Sequence, residues 1–262
     1  MTVLDLTLND RVAIVTGGGQ GVGLACVKTL AAAGMSVVAA DLETQQLDDV
    51  AADHDRVRAL RLDLTDPTAP EQLVRTAIEE HGTVDVLVNN LADIGEAQPF
   101  HDIDDQTWEH SLAVNLLATV RTCRAAIPHM TAAGRGAIIT IGSDAGELPH
   151  PDFAPYSVTK AALMNLSKVL SKAYGQHGVR SNLIAPGLLR THATAAMLDD
   201  LAEQHGSEAG GVQALAMDVG MAIPRIAEAD EVASLVAYLA SDLAAQITGT
   251  VVRIDGGTVP TI

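Results

Sequence analysis

Tyr156 and Lys160 stand four positions apart in the stretch Pro155-Tyr156-Ser157-Val158-Thr159-Lys160, at the head of an alanine-rich run with helical character. On a helix that spacing puts both side chains on one face, one turn apart. A phenol is a spectator at neutral pH, because its pKa lies about three units higher. A cation held beside it stabilises the phenolate and lowers that pKa, so that the hydroxyl can give or take a proton. By itself such a pair describes an ordinary solvated helix face more often than an active one. Two other residues shift the balance. Ser143 closes the run Ala137-Ile138-Ile139-Thr140-Ile141-Gly142-Ser143, at the carboxyl end of an expected strand, where α/β sheets place ligands. Its hydroxyl can bond a substrate oxygen. Asn115 lies inside a long helical pattern, where asparagine is mildly unfavourable, so it either has a special role or is satisfied by a neighbouring backbone carbonyl.

A second constellation precedes these residues in the chain. Thr16-Gly17-Gly18-Gly19-Gln20-Gly21-Val22-Gly23 falls between an apolar strand and a helix. A glycine-rich turn there lets the backbone approach a pyrophosphate, and the helix N-terminus offers free N–H groups and a partial positive charge. The glycines alone would fit a tight turn with no ligand; their place in a strand–helix unit favours a dinucleotide. Asp41 ends the next strand, 18 residues after Gly23. A carboxylate there accepts hydrogen bonds from ribose hydroxyls and repels a 2′-phosphate. Leu42 follows it, where a basic residue would have favoured NADP, so the expected cofactor is NAD.

The elements that must position these groups alternate. Strands are expected over residues 12–16, 36–40, 57–62, 84–88, 137–141, 179–185 and 250–255. Helices are expected after Gln20 up to Gly34, after Asp41, from Asp66-Pro67 to His81, and over residues 105–131, 155–175 and 228–240. Strands separated by helices of this length predict parallel βαβ units and a doubly wound sheet with right-handed crossovers. No linker or repeat divides the 262 residues, so one domain over residues 1–262 is expected. Residues 188–222, rich in Ala, Met and Gly, read as an irregular, mobile cover over the substrate.

Composition excludes several classes of function. A net charge of −17 argues against binding nucleic acid or an anionic membrane surface. No apolar run reaches the roughly 18 residues of a membrane span. The N-terminal MTVLDLTLND has neither a basic region nor a long apolar stretch, so no secretory leader is expected. The two cysteines, Cys26 and Cys123, fall in expected helices, which makes a disulfide framework implausible and the cytoplasm the expected compartment. The nine histidines show no metal-ligand spacing, and no metal is expected.

Taken in order, TGGGQGVG, Asp41, Asp63-Leu64, Asn89-Asn90, Asn115, Ser143, YSVTK, and Pro186-Gly187 with Thr191 resemble the short-chain dehydrogenase/reductase family over nearly the whole chain. The resemblance implies a single-domain α/β Rossmann-type fold with a seven-stranded parallel sheet flanked by helices. It also implies roles. Tyr156 would be the acid/base, and Lys160 would lower its pKa and hold the nicotinamide ribose. Ser143 would polarise the substrate oxygen. Asn115 would hold a water relaying protons from Lys160. Gly17, Gln20, Gly21, Val22, Gly23, Asp41, Leu42, Asp63, Leu64 and Asn90 would line the cofactor groove. Pro186, Gly187, Leu189 and Thr191 would pass the nicotinamide and phosphates. The family's usual Asn-Asn-Ala-Gly is here Asn89-Asn90-Leu91-Ala92, which changes the groove's walls and not its reacting residues.

The activity implied is NAD-dependent interconversion of a secondary alcohol and a ketone. Leu148, Phe153, Leu188, Met197 and Met221, with Asp144 and His150 near the mouth, suggest a lipophilic substrate such as a hydroxysteroid, terpenoid or acyl derivative, unless several of them merely pack the cover. An NADH-dependent 3-oxoacyl reductase is the near alternative. Arg135 is the only Arg or Lys of its segment, IPHMTAAGRGA, and that weakens docking to an acidic carrier protein. A non-catalytic NAD sensor is the distant alternative. The resemblance also implies a homotetramer, with a dimer second.

Overall fold

A computed structural model describes residues 6–261. Residues 1–5 of the segment considered for a leader, and residue 262, lie outside the described residues. The strands are β1 (Val12–Thr16), β2 (Ser36–Asp41), β3 (Val57–Arg61), β4 (Val86–Asn89), β5 (Gly136–Ile141), β6 (Val179–Pro186), β7 (Leu189–Arg190), β8 (Ala227–Glu228) and β9 (Val251–Ile254). Seven of them form one parallel sheet in the order β3-β2-β1-β4-β5-β6-β9. The chain winds outward from β1 to β3 and then returns to pair β4 beside β1, with Thr16 opposite Asn89. That reversal leaves a crevice at the carboxyl ends of β1 and β4, where such sheets hold ligands.

The helices are α1 (Gly21–Ala32), α2 (Gln45–Asp53), α3 (Ala69–His81), α4 (Asp105–Ser111), α5 (Ala118–Ala133), α6 (Ala154–Tyr174), α7 (His192–His205), α8 (Glu208–Val219) and α9 (Ala229–Ala240). Alternation along β1 sends Ala13 and Val15 into a core with α1 and α9. Val12 and Ile14 point into a core with α3 and α5. Every residue of β1 and β4 is buried, which is why these strands read as unbroken apolar runs.

Several expectations shift. The helix expected from Asp66 begins at Ala69, because the Asp66 carboxylate accepts the backbone N–H and hydroxyl of Thr68, both at 2.8 Å, and folds the chain into a turn first. The helix expected over residues 105–131 runs without a break from Asp105 to Ala133, but Leu112–Leu117 within it is a π-helical segment between α4 and α5. Such bulges mark functional sites often enough to draw attention to Asn115 within it. Residues 188–222 are not irregular. They form β7, α7 and α8, with Thr191 and Thr194 capping α7 and the Ser207 hydroxyl accepting the Gly210 N–H at 3.1 Å to cap α8. Leu198 and Val212 on their inner faces close over Leu188 and Ile226. Among the described residues no helix is long and apolar enough to cross a membrane.

Candidate active site

The glycine turn is braced from β4. The Thr16 hydroxyl accepts the backbone N–H of Asn90 at 3.0 Å and that of Leu91 at 3.3 Å. The Asn90 amide donates to the Gly17 carbonyl at 2.8 Å. Gly17 has φ +63°, a conformation that a side chain would strain. At Gly23 the constraint is space, since an added Cβ would lie 1.8 Å from the Gly17 carbonyl oxygen. The loop therefore doubles back tightly and presents bare backbone where α1 begins. No acid stands in the first turn of α1, so no side chain of that turn offsets the positive end of the helix. Gln20 is exposed at the cap, while the Val22 side chain is buried in the core, leaving its backbone for a ligand.

The Asp41 carboxylate accepts the Gly19 N–H at 2.8 Å and the Glu43 N–H at 3.2 Å. It thus sits against the glycine turn, and Leu42 beside it is exposed. Free N–H groups, a loop with no Cβ to intrude and a carboxylate alongside together fit a dinucleotide. Thr191, at the start of α7, brings its methyl to 3.9 Å from where a Cβ on Gly21 would stand, so the Pro186–Thr191 segment crosses the same turn. Gly187 is held by donation of its N–H to Ile254 at 2.9 Å. Two expected cofactor contacts are corrected at the side-chain level. Leu64 is 3% exposed in the core with α3, and Leu189 packs against the core with α1. Only the backbone of Leu64 remains to meet a cofactor, while the partly buried Leu189 side chain is shared between that packing and the surface. Asp63 is engaged by Thr65, whose N–H and hydroxyl reach it at 2.9 and 2.6 Å.

The reacting groups meet at the end of β5. Lys160, 1% exposed, donates from Nζ to the Ile141 carbonyl at 3.0 Å and lies 5.3 Å from the centre of the Tyr156 ring. Ser143 follows two residues after Ile141; its hydroxyl accepts the Ala145 N–H at 3.2 Å and donates to Asp144 Oδ1 at 3.0 Å. Burial pushes the Lys160 ammonium down to about 8. The Tyr156 hydroxyl is pushed up, first by burial and then by the Asp144 charge, against a downward pull from Ser143. The expectation that Lys160 makes this phenol acidic is therefore not met by the protein's own groups: burial leads the upward shift, and the ammonium lies over the ring.

The buried lysine predicts a pH signature. Its folded pKa, about 8, lies below the ordinary 10.5, so between those values the unfolded chain binds more protons and folding stability rises with pH. The full effect is about 3 kcal/mol. Urea unfolding of Lys160→Met across that window should show the rise flattened relative to the unaltered protein.

Asn115, wholly buried, is a clamp. Its Oδ1 accepts the Asp93 N–H at 2.7 Å, and its Nδ2 donates to the Asp93 carbonyl at 2.8 Å and to the Ser111 hydroxyl at 3.1 Å. Both amide protons are spent, which leaves one lone pair for the water relay expected of this side chain. The π turn sets this amide against the loop that follows β4. Of the expected pocket residues, Leu148 and Met197 are exposed. His150 and Phe153 stack with ring centres 5.2 Å apart. Leu188 is absorbed into the α7–α8 packing and Met221 lies against Gly256, so both are cover-packing residues.

Sequence reasoning missed Thr16, whose only signal is its place before the glycines. It also passed over Asn89 as a site residue, although its Oδ1 accepts the Thr122 hydroxyl at 2.6 Å and so ties β4 to α5.

Comparison with known proteins agrees with this geometry. A family model described as short chain dehydrogenase matches residues 11–223. The chain is 33% identical over 253 residues to cis-4-hydroxycyclohexanecarboxylate dehydrogenase of Sinomonas cyclohexanicum, covering 95% of this chain and 96% of that one. It is 32% identical over 255 residues to the Escherichia coli 3-oxoacyl-acyl-carrier-protein reductase FabG, covering 96% and 98%. The crystal structure of gox2181 aligns with a TM-score of 0.87 at 32% identity, covering 98% of both chains. With the parallel sheet, the braced glycine turn and the Ser–Tyr–Lys cluster in place, the chain belongs to the short-chain dehydrogenase/reductase family of oxidoreductases, whose members bind nicotinamide cofactors.

Proposed function

We propose that the protein is an NAD-dependent oxidoreductase that interconverts a secondary alcohol and a ketone, with Tyr156 as the group that exchanges the proton. The observation that carries this reading is the buried Lys160, with no carboxylate among the described residues paired to it, fixed 5.3 Å from the centre of the Tyr156 ring. An unpaired cation in a protein interior costs stability, and a reacting phenolate gives it a purpose.

NAD, when bound, supplies the hydride acceptor for oxidation and the donor for reduction. The chain's residues handle the proton and the geometry. Gly17, Gly21, Gly23 and the first N–H groups of α1 receive the pyrophosphate, and Asn90 keeps that loop in shape. Asp41 takes ribose hydroxyls and opposes a 2′-phosphate. Ser143 donates to the substrate oxygen and fixes the carbinol carbon. In oxidation Tyr156 Oη accepts the hydroxyl proton; in reduction it returns one to the carbonyl oxygen. Lys160 offsets the phenolate charge and reaches towards the nicotinamide ribose. Asn115, acting through Asp93, is a positioning residue.

A lipophilic frame on the substrate suits Leu148 and Met197, both exposed, and the partly buried Phe153. Docking of a carrier protein has less support. Arg135 precedes β5 and pairs with Asp85 at 2.8 Å, at the opposite end of that strand from Ser143. A sensor that only binds NAD would have no use for the Ser143–Tyr156–Lys160 cluster. The test is to mix purified protein with NAD⁺ or NADP⁺ and a panel of secondary alcohols, including steroids, and follow reduced-cofactor absorbance. Turnover with NAD⁺, and a preference over NADP⁺ that narrows by roughly tenfold in Asp41→Ala, is expected from removing a like-charge repulsion. No turnover across the panel, with NAD⁺ still bound, would establish the sensor instead.

Leu117, Val158 and Val169 are exposed on the stretch around α5 and α6, which supports a homotetramer built through those helices, with a dimer as the smaller alternative. Sedimentation as a monomer at micromolar concentration would contradict it.

A further inference from the structure

The residue after Ser143 is not used by the chemistry above. Asp144 opens the short 3-10 turn Asp144–Gly146 that follows β5. Its Oδ1 accepts the Ser143 hydroxyl at 3.0 Å. Its Oδ2 lies on the side of the Pro186–Gly187 turn, where an added Cβ on Gly187 would stand 3.2 Å away. The carboxylate thus bridges the residue that must hold the substrate oxygen and the segment that crosses the cofactor groove.

No arginine or lysine of the described residues pairs with it. Arg253, the cation on that side, is gripped by both carboxylate oxygens of Glu147. The neighbouring carboxylate, Asp255, is already satisfied by the N–H groups of Gly257 and Val259, each at 3.0 Å, and its charge adds to that on Asp144. A half-buried carboxylate with no cation, next to a second carboxylate, costs folding energy. It also acts against the Tyr156 phenolate.

Ser143 has one hydroxyl proton. While Asp144 accepts it, Ser143 has none to give a substrate oxygen. A substrate that brings Asp144 a better donor releases that proton to the reacting oxygen. We infer that Asp144 selects alcohols bearing an N–H or O–H donor, an ammonium or a hydroxyl, on the carbon next to the carbinol carbon, and rejects a carboxylate in that place. This inference rests on the oxidoreductase reading of the same site. It narrows the substrate class to 1,2-diols and 1,2-amino alcohols on an apolar frame.

The test uses four cyclohexane derivatives that differ only beside the hydroxyl: cyclohexanol, trans-1,2-cyclohexanediol, trans-2-aminocyclohexanol and 2-hydroxycyclohexanecarboxylate. Two quantities are measured for the unaltered protein, Asp144→Asn and Asp144→Ala: kcat/KM with NAD⁺, and the dissociation constant for the unreactive complex of each alcohol with NADH-bound protein by calorimetry. The aminoalcohol and diol should show a kcat/KM higher than the carboxylate's, and a dissociation constant lower than the carboxylate's, each by roughly tenfold or more, as expected of a hydrogen bond to a charged group, and both variants should compress that order to within about threefold. The same binding order without turnover of any member would refute the dehydrogenase reading and still support this inference. An order that is absent, or that persists unchanged in both variants, overturns it. So does a loss of NAD⁺ affinity in the variants with the alcohol order intact, since Asp144 would then serve the cofactor.

Discussion

Tyr156→Phe is expected to lower kcat by between about 100- and 10,000-fold, the range that a positioned general acid or base contributes. The variant deletes one oxygen and keeps the ring against which Lys160 Nζ rests, 5.3 Å from its centre. NAD⁺ affinity should therefore stay within about threefold, because the ring packing and the glycine turn are untouched. Stability should hold or rise, since the hydroxyl is desolvated enough for burial to be the leading cause of its raised pKa. Loss of turnover with an intact cofactor site separates a chemical role for the oxygen from a structural one. Near-normal turnover would assign the proton to another group.

The second large effect is at Gly23. A Cβ there would meet the Gly17 carbonyl oxygen at 1.8 Å and the Asn90 amide nitrogen at 2.6 Å. Neither can give way cheaply: the carbonyl is backbone, and the amide is bonded to it at 2.8 Å. Gly23→Ala must displace the loop and with it the N–H groups that open α1. An NAD⁺ dissociation constant raised by about 100-fold or more is expected from this overpacking, with circular dichroism confirming that the sheet and helices persist. NAD⁺ bound as tightly as in the unaltered protein would show that the turn is not the pyrophosphate site.

Much of this was legible in the residues. The central strands announce themselves as apolar runs because parallel strands are buried on both faces, and the glycine turn and Tyr156–Lys160 are local patterns with fixed spacing. What was hidden depends on contacts across the chain. α7 and α8 are alanine-rich with only scattered Leu and Val, and their clearest signals are the caps at Thr191 and Ser207. The π turn around Asn115 has no local signature; it is visible only once the Asn115 amide is seen clamping Asp93. The resemblance placed Leu64 in the groove with Asp63, but in the turn beyond β3 the Leu64 side chain packs into the core beside the exposed Asp63. The sign of the Tyr156 shift was the least accessible, because spacing reveals a neighbouring charge and says nothing of desolvation.

That sign defines the central claim. The protein's own groups hold Tyr156 above its ordinary pKa, so the proposed function requires a further positive charge beside the phenol before it can carry a proton near neutral pH. The chain has three tyrosines, so carbon NMR of protein labelled at tyrosine Cζ gives few resonances, and the one missing from Tyr156→Phe identifies the residue. Titrated without and with saturating NAD⁺, that resonance should move from ionising above 10.0 to ionising below it. Ionisation above 10.0 in both titrations, with NAD⁺ demonstrably bound, would contradict the account.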